Sequence, residues 1–275
     1  MTIPILTHAI AERLEAVDLA VMRARLQAMQ AKPGNPHGID CRTFGQATAL
    51  SAKAMPIRDF NRVFGMTPQD VHHLKEITAY YQREVPASPF GIDVIPTHAE
   101  TAFLSALTAA GYVQTGFHTA LYGVPQLPTS SLPEAVRVRE ATLADHTLLA
   151  DVFLRSLELP FRGEAELPEH FPALLGDPRW KIYLGFVADQ PAGFAMLYLQ
   201  DDLAVFAQAG TLPACRERGV QTALLRTRME TAFAHDCSLV AAQAVFGSPS
   251  MRNLQRFGLR VAYTKAEWTY VPRPQ

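Results

Sequence analysis

The second half of the chain alternates strand and helix patterns. Val136-Arg137-Val138-Arg139 places apolar and charged side chains on opposite faces, as a half-buried strand does. Thr142-Leu143-Ala144-Asp145 reads as a helix start, with Thr142 as cap and Asp145 at the positive end. Leu148, Leu149, Val152, Phe153 and Leu157 then recur at helical spacing. Residues 181–188 predict a strand, Asp189 to Gly193 a turn, and Phe194 to Leu199 the returning strand of an antiparallel hairpin. Further strands are expected over 203–212, 239–244 and 261–270, with helices over 221–234 and 250–256. The order β-α-β-β-β-α-β-α-β argues for a mixed sheet rather than a doubly wound parallel one.

The first half is less regular. A helix fits Ile10 to Gln30, with Leu14, Val17, Leu19, Val21, Met22, Leu26 and Met29 as its apolar residues. Thr67-Pro68-Gln69-Asp70 opens a second helix, which runs to about Tyr81, with Pro68 at its first position. Residues 101–110 form a third, stopped by Gly111. The stretch 99–120 echoes 251–268, a short helix, a glycine and a strand, which hints at duplication. Between the halves, residues 124–135 contain three prolines and three hydroxyl residues and read as a linker. The expected domains are therefore 1–123 and 136–275.

Composition narrows the function. Apolar residues make up 48% of 275 positions and charged residues 19%, so the chain can bury a large core without disulfides or metals. Lys plus Arg is 25 and Asp plus Glu 26. That balance, with no run of like charge, argues against nucleic acid as a partner. Three cysteines, Cys41, Cys215 and Cys237, match no zinc spacing and suit a reducing cytoplasm. Charges interrupt the N-terminal stretch too early for a signal-peptide core, and no apolar run is long enough to span a membrane. His98-Ala99-Glu100 lacks the Pro-Cys-x-x-Cys of a zinc deaminase, and adjacent His72 and His73 do not share a helix face. Neither a G-x-G-x-x-G nor a P-loop occurs.

One segment carries chemistry: residues 211–225, TLPACRERGVQTALL. A strand ends near Thr211, a turn containing Pro213 follows, and Arg216-Glu217-Arg218-Gly219 leads straight into a helix. Free backbone N–H groups at the helix start, the helix dipole and two arginines suit a pyrophosphate. Gly219 allows close backbone approach or a positive φ.

This segment resembles motif A of the GNAT acyltransferase superfamily, whose loop runs Arg/Gln-x-x-Gly-x-Gly/Ala. Arg216, Gly219 and the following helix fit; Gln221 stands where the pattern has Gly or Ala. Residues 247–264, a short helix, Phe257-Gly258 and a last strand, are similar to the family's ending. The resemblance covers roughly 136–270. It implies a tandem chain of two GNAT-like α/β units with mixed, mainly antiparallel sheets. The N-terminal unit is degenerate, because it has no Arg-x-x-Gly loop.

What the resemblance implies is a transfer of acetyl, or another acyl group, from acetyl-CoA to a primary amine of a small molecule or peptide. No metal is implied. The donor would be held by Thr211, Arg216, Glu217, Arg218, Gly219, Val220, Gln221, Thr222 and Ala223, with Asn253 reaching pantetheine. Strand 203–212 would splay from strand 239–244 to admit it. Leu254 occupies the place of the family's usual acidic tyrosine and Gly247 that of its asparagine. Tyr263 is the remaining candidate for a general acid, and no general base stands out. A non-catalytic acyl-CoA-binding regulator is the alternative, and a purely structural interaction module is a third reading. Ser248 and Ser250 read as caps of the last short helix.

Overall fold

A computed structural model describes residues 2–127, 135–157 and 170–272. Most of the expected linker therefore lies outside the described residues; its first four, 124–127, are irregular. The chain groups into two compact units, and the grouping departs from a simple cut at 124–135. The first-half unit holds Ile5–Ala120, Ala244–Phe246 and the C-terminal stretch from Val261. The second-half unit holds Leu121–Gln243 and Gly247–Arg260, together with the residues preceding Ile5. The last strand, expected to complete the second domain, thus belongs with the first.

In the first-half unit, α1 (His8–Gln30) precedes β1 (Ile39–Phe44), β2 (Ala47–Ala52) and β3 (Arg62–Phe64). Then come α2 (Leu74–Glu84), β4 (Gly91–Val94), α3 (Thr101–Ala109) and β5 (Tyr112–Gly123). The C-terminal strand β11 (Arg260–Tyr270) lies between β4 and β5, so the order is β1-β2-β3-β4-β11-β5. β1–β2, β2–β3 and β4–β11 pair antiparallel, whereas β3 and β4 pair in parallel through Arg62↔Gly91 and Val63↔Ile92. One core gathers Phe64's neighbours Val63 and Met66 with Ile77, Tyr80, Tyr81, Ile92, Phe103, Leu107, Tyr112 and Trp268. Trp268 on β11 shows that this core is closed by a residue far away in sequence.

Polar groups are buried elsewhere in this unit. Lys265 on β11 is fully buried, with its Nζ 2.6 Å from Asp18, 3.4 Å from Glu15 and 3.7 Å from Asp93. Arg58 and Arg62 bind the two oxygens of Asp93 at 2.7 and 2.8 Å. The three cations hold Asp93 well below the usual carboxylate range despite its burial. Burial dominates at Glu15, pushing its pKa up to about 7 against the pull of Lys265.

The second-half unit runs β6 (Val136–Glu140), α4 (His146–Leu157), α5 (Phe171–Gly176), β7 (Trp180–Val187), β8 (Gln190–Gln200), β9 (Leu203–Thr211), α6 (Val220–Ala234), β10 (Leu239–Val245) and α7 (Pro249–Arg256). Its strand order is β10-β9-β8-β7-β6. β6–β7, β7–β8 and β8–β9 pair antiparallel, and β9 pairs with β10 in parallel. The anticipated Thr142 start carries a capping box: Asp145 accepts from the Thr142 backbone N–H at 2.8 Å and from its hydroxyl at 2.9 Å. The β7–β8 turn is tighter than expected, formed by Ala188 and Asp189 with φ of 48° and 62°, the conformation two-residue hairpins require. Gly185 and Gly193 lie beneath α6; a Cβ on Gly193 would fall 2.6 Å from the Gly210 carbonyl oxygen and 3.1 Å from Val220. Absent side chains here let helix and sheet approach closely.

In chain order each half of the sequence runs through a strand, a helix, a parallel strand, a short helix ending near a left-handed glycine, and a further strand, which in the second half is β11 of the first-half unit. The glycines are Gly111 (φ +92°) and Gly258 (φ +87°). The echo between 99–120 and 251–268 is therefore structural as well as textual.

Candidate functional site

The site begins where two parallel strands stop pairing. Leu203 to Phe206 of β9 pair with Leu239 to Ala242 of β10, and no pair follows. Both strands continue, β9 to Thr211 and β10 to Val245, so their facing edges part. On its other side β9 shifts register against β8, from Leu197↔Phe206 to Ala195↔Ala209. The extra residue in β9 is a bulge, which bends the strand and re-aims its side chains. The bulge thus coincides with the parting.

Three buried side-chain atoms on the parted stretches have no hydrogen-bond partner: Gln208 Oε1, Thr211 Oγ1 and Gln243 Oε1. Buried polar atoms are normally satisfied. Orphans on both walls of a gap between strands fit a polar ligand entering there.

Beyond Thr211 the chain makes one 3₁₀ turn (Pro213–Cys215), tied by Cys215 N–H to the Leu212 carbonyl at 2.8 Å. Arg216, Glu217 and Arg218 are exposed, and Glu217 takes a positive φ of 62°. Gly219 is the N-cap of α6 with φ +83° and ψ 0°, and no side chain caps the helix there. Its carbonyl accepts from the Ala223 N–H at 3.0 Å. Helix geometry therefore leaves the N–H groups of Val220, Gln221 and Thr222 without intrahelical acceptors. Val220 and Ala223 point into the core, Gln221 is half-buried and Thr222 is exposed. Together with the positive end of the helix dipole this makes an anion seat.

In the first-half unit α2 is entered differently, through a 3₁₀ turn (Pro68–His73) whose own start carries a capping box of Thr67 and Asp70. Asp70 accepts from the backbone N–H of Gln46 and Thr67, both at 2.9 Å, and from the Thr67 hydroxyl at 2.7 Å. Against its desolvation these bonds hold the Asp70 pKa below the usual carboxylate value. A negative side chain already occupies that helix end and would repel a second anion.

Other expected residues are placed as follows. Asn253 is half-buried on α7, its Oδ1 accepting from Arg256 at 2.9 Å, which leaves the amide nitrogen for a ligand. Ser248 caps α7, accepting from the Met251 N–H at 3.1 Å. Leu254 is buried, so α7 presents no phenol in its place. Tyr263 lies on β11, in the first-half unit. Burial and the nearby carboxylates of Glu15, Asp18 and Glu12 push its pKa far above that of an ordinary phenol. Of residues 160–179, the loop expected from the sequence to shape an acceptor pocket, the first part, 160–169, lies outside the described residues, and residues 171–176 form α5.

Sequence reading missed Gln208, Gln243 and Arg228. Arg228 is buried on α6 with its guanidinium 4.7 Å from the ring of Phe206, the last paired residue of β9. Burial lowers its pKa to about 9. A detectable signal was present: Arg228 follows Leu224 and Leu225 at the spacing of the helix's buried face.

Residues 151–259 match the model of the Acetyltransferase (GNAT) family. No curated protein matches the sequence. Among solved structures, a GCN5-related N-acetyltransferase from Kribbella flavida aligns with a TM-score of 0.65 at 13% identity, covering 92% of this chain and 95% of that one. One from Sphaerobacter thermophilus gives 0.62 at 15%, covering 85% and 83%. A tandem GNAT protein from the clavulanic acid biosynthesis pathway gives 0.59 at 13%, covering 94% and 97%. At such identities the likeness speaks for the fold, and it extends over both units. The chain carries a GNAT acetyltransferase domain in its second half, within a tandem GNAT fold.

Proposed function

We propose that the second-half domain is an N-acyltransferase that moves an acetyl group from coenzyme A to a primary amine of a small molecule or peptide. The observation that carries this reading is the parting of β9 and β10 beyond Phe206 and Ala242, directly ahead of the Gly219 helix start. Pyrophosphate is received by the N–H groups of Val220, Gln221 and Thr222, with Arg216 and Arg218 at the rim. Pantetheine runs along the freed edge of β9 towards Thr211, within reach of the Asn253 amide. The amine lone pair attacks the thioester carbonyl, the C–S bond breaks, coenzyme A leaves as thiolate, and the new amide nitrogen releases its surplus proton to solvent. A backbone N–H on β9 stabilises the oxyanion; such a donor is typically worth ~10²–10³ in rate. With Leu254 in the place of a phenol, the thiolate takes its proton from solvent. The first-half unit, its α2 entered through a turn capped by Asp70, holds no second donor in this proposal.

The three unpaired cysteines suit a reducing cytoplasm, and no helix among the described residues is long and apolar enough to cross a membrane. Leu254 also favours the alternative of a non-catalytic acyl-CoA binder. Thiol release from acetyl-CoA with a panel of amines separates the two. Amine-dependent release supports the transferase, whereas tight donor binding without release supports the binder.

A further inference from the structure

We propose that Arg25 is the seat of a second ligand site, in the first-half unit, which takes a small molecule through its carboxylate. The site is separate from the donor loop and does not depend on the acyl-transfer reading.

Arg25 stands on the buried face of α1, one turn after Val21 and one turn before Met29, and is 3% exposed. The other buried charges of this unit meet opposite ones. Asp18 and Glu15 lie 2.6 and 3.4 Å from Lys265, and Arg58 and Arg62 lie 2.7 and 2.8 Å from Asp93. Arg25 has no such partner among the described residues: its Nε and Nη2 are buried and make no hydrogen bond. The ring of Phe60 stands 5.7 Å from its guanidinium carbon. Burial lowers the Arg25 pKa to about 10 against the attraction of Asp59, which is exposed. The group is still a cation at neutral pH.

Which atoms are vacant points to the ligand. Nε–H and the neighbouring Nη2–H form one edge of the guanidinium, aim the same way and match the two oxygens of a carboxylate. A buried charge with no partner is strongly unfavourable, so an anion is favoured at that edge. One cation calls for a monoanion, which favours a carboxylate over a phosphate dianion. The surroundings add a second vacant atom. Phe60 belongs to the segment 53–61, which Asn61 gathers by accepting from the Ala52 N–H at 2.8 Å and donating to the Met55 and Ile57 carbonyls at 2.9 Å. Buried His37 is tied to the same segment, its carbonyl accepting from the Ala54 N–H at 3.0 Å, and its Nδ1 is also buried without a partner. In the Nδ1–H tautomer it donates to an oxyanion.

The test is calorimetric titration of the intact chain with acetate, propionate and benzoate, and with inorganic phosphate, at constant ionic strength. The expected result is one saturable carboxylate site per chain, about tenfold or more tighter than for phosphate, and unaltered by prior saturation with acetyl-CoA. Arg25→Lys keeps the charge but loses the two-pronged edge, and should weaken carboxylate binding about tenfold. Arg25→Met should abolish it while the ligand-free protein melts no lower than wild type, because an apolar chain replaces an unpaired buried charge. Equal binding in Arg25→Lys, competition by acetyl-CoA, or phosphate binding more tightly than the carboxylates would each overturn the inference. So would the absence of saturation; a lower melting temperature of Arg25→Met would then identify a carboxylate of the chain itself, such as Glu134, Glu158, Glu164, Glu166 or Glu169 outside the described residues, as the occupant of that edge.

Discussion

At Gly219 the backbone takes φ +83° and caps α6 without a side chain. Glycine reaches this conformation freely, and aspartate is among the few residues that tolerate it. Asp is also a good helix cap. Gly219→Asp should therefore fold normally while placing a carboxylate where the pyrophosphate sits. The expected result is a loss of acetyl-CoA affinity of about a hundredfold or more, by calorimetry, with the melting temperature nearly unchanged. Equal affinity in the variant would remove this loop from the donor site.

Glu15 gives a second prediction at the same scale. Its folded pKa lies at about 7, above the unfolded value of 4.5, because burial disfavours its charge. The native state then binds more protons than the unfolded state between these values. Stability from this group is complete below pH 4.5 and is lost as pH rises to 7, by up to about 3 kcal/mol. Glu15→Gln, a permanently neutral mimic, should flatten that slope in denaturant titrations across the window. An identical slope in the variant would assign the proton to another group.

Among elements, the α6–β8 contact decides whether the helix start points into the gap. Gly193→Ala pushes a methyl against the Gly210 carbonyl and Val220, the first residue of α6. The expected outcome is destabilisation of about 1–3 kcal/mol together with weakened acetyl-CoA binding. A variant with wild-type stability and affinity would show that this approach is not required.

The same scale shows what the chain made legible. Helices 8–30, 220–234 and 249–256 were read from periodicity and turn residues within one residue or two, and the β7–β8 hairpin was read with its returning strand beginning four residues late. The first-half strands were not. Ala47–Ala52 is buried on both faces and built of small residues, so it has no alternation to see. Arg62–Phe64 is three residues long, and Gly91–Val94 carries a buried aspartate whose cations come from elsewhere. The pyrophosphate loop was legible because it is local. The unpartnered oxygens of Gln208 and Gln243 were not, because they matter only where pairing stops. That Tyr263 joins the first-half unit was not legible either, because the unit a strand joins is set by distant contacts.

For the whole molecule, β11 is the clearest non-local feature. It brings Lys265 to Glu15, Asp18 and Asp93, more than 170 residues away in sequence, and Trp268 into the first-half core. Lys265→Met leaves three buried carboxylates without their shared cation, a loss typically worth about 3–5 kcal/mol. Hydrogen exchange should then rise in β3, β4 and β11 while β7, β8 and β9 keep their protection. A uniform rise across both halves would contradict the division into two units.

The central claim is that the second half alone holds the acyl donor. Calorimetric titration of the intact chain with acetyl-CoA tests it most directly. One site per chain is the predicted result. No binding at millimolar donor would contradict the claim and leave a GNAT scaffold without its donor, and two sites would contradict the assignment of a closed helix start to the first half.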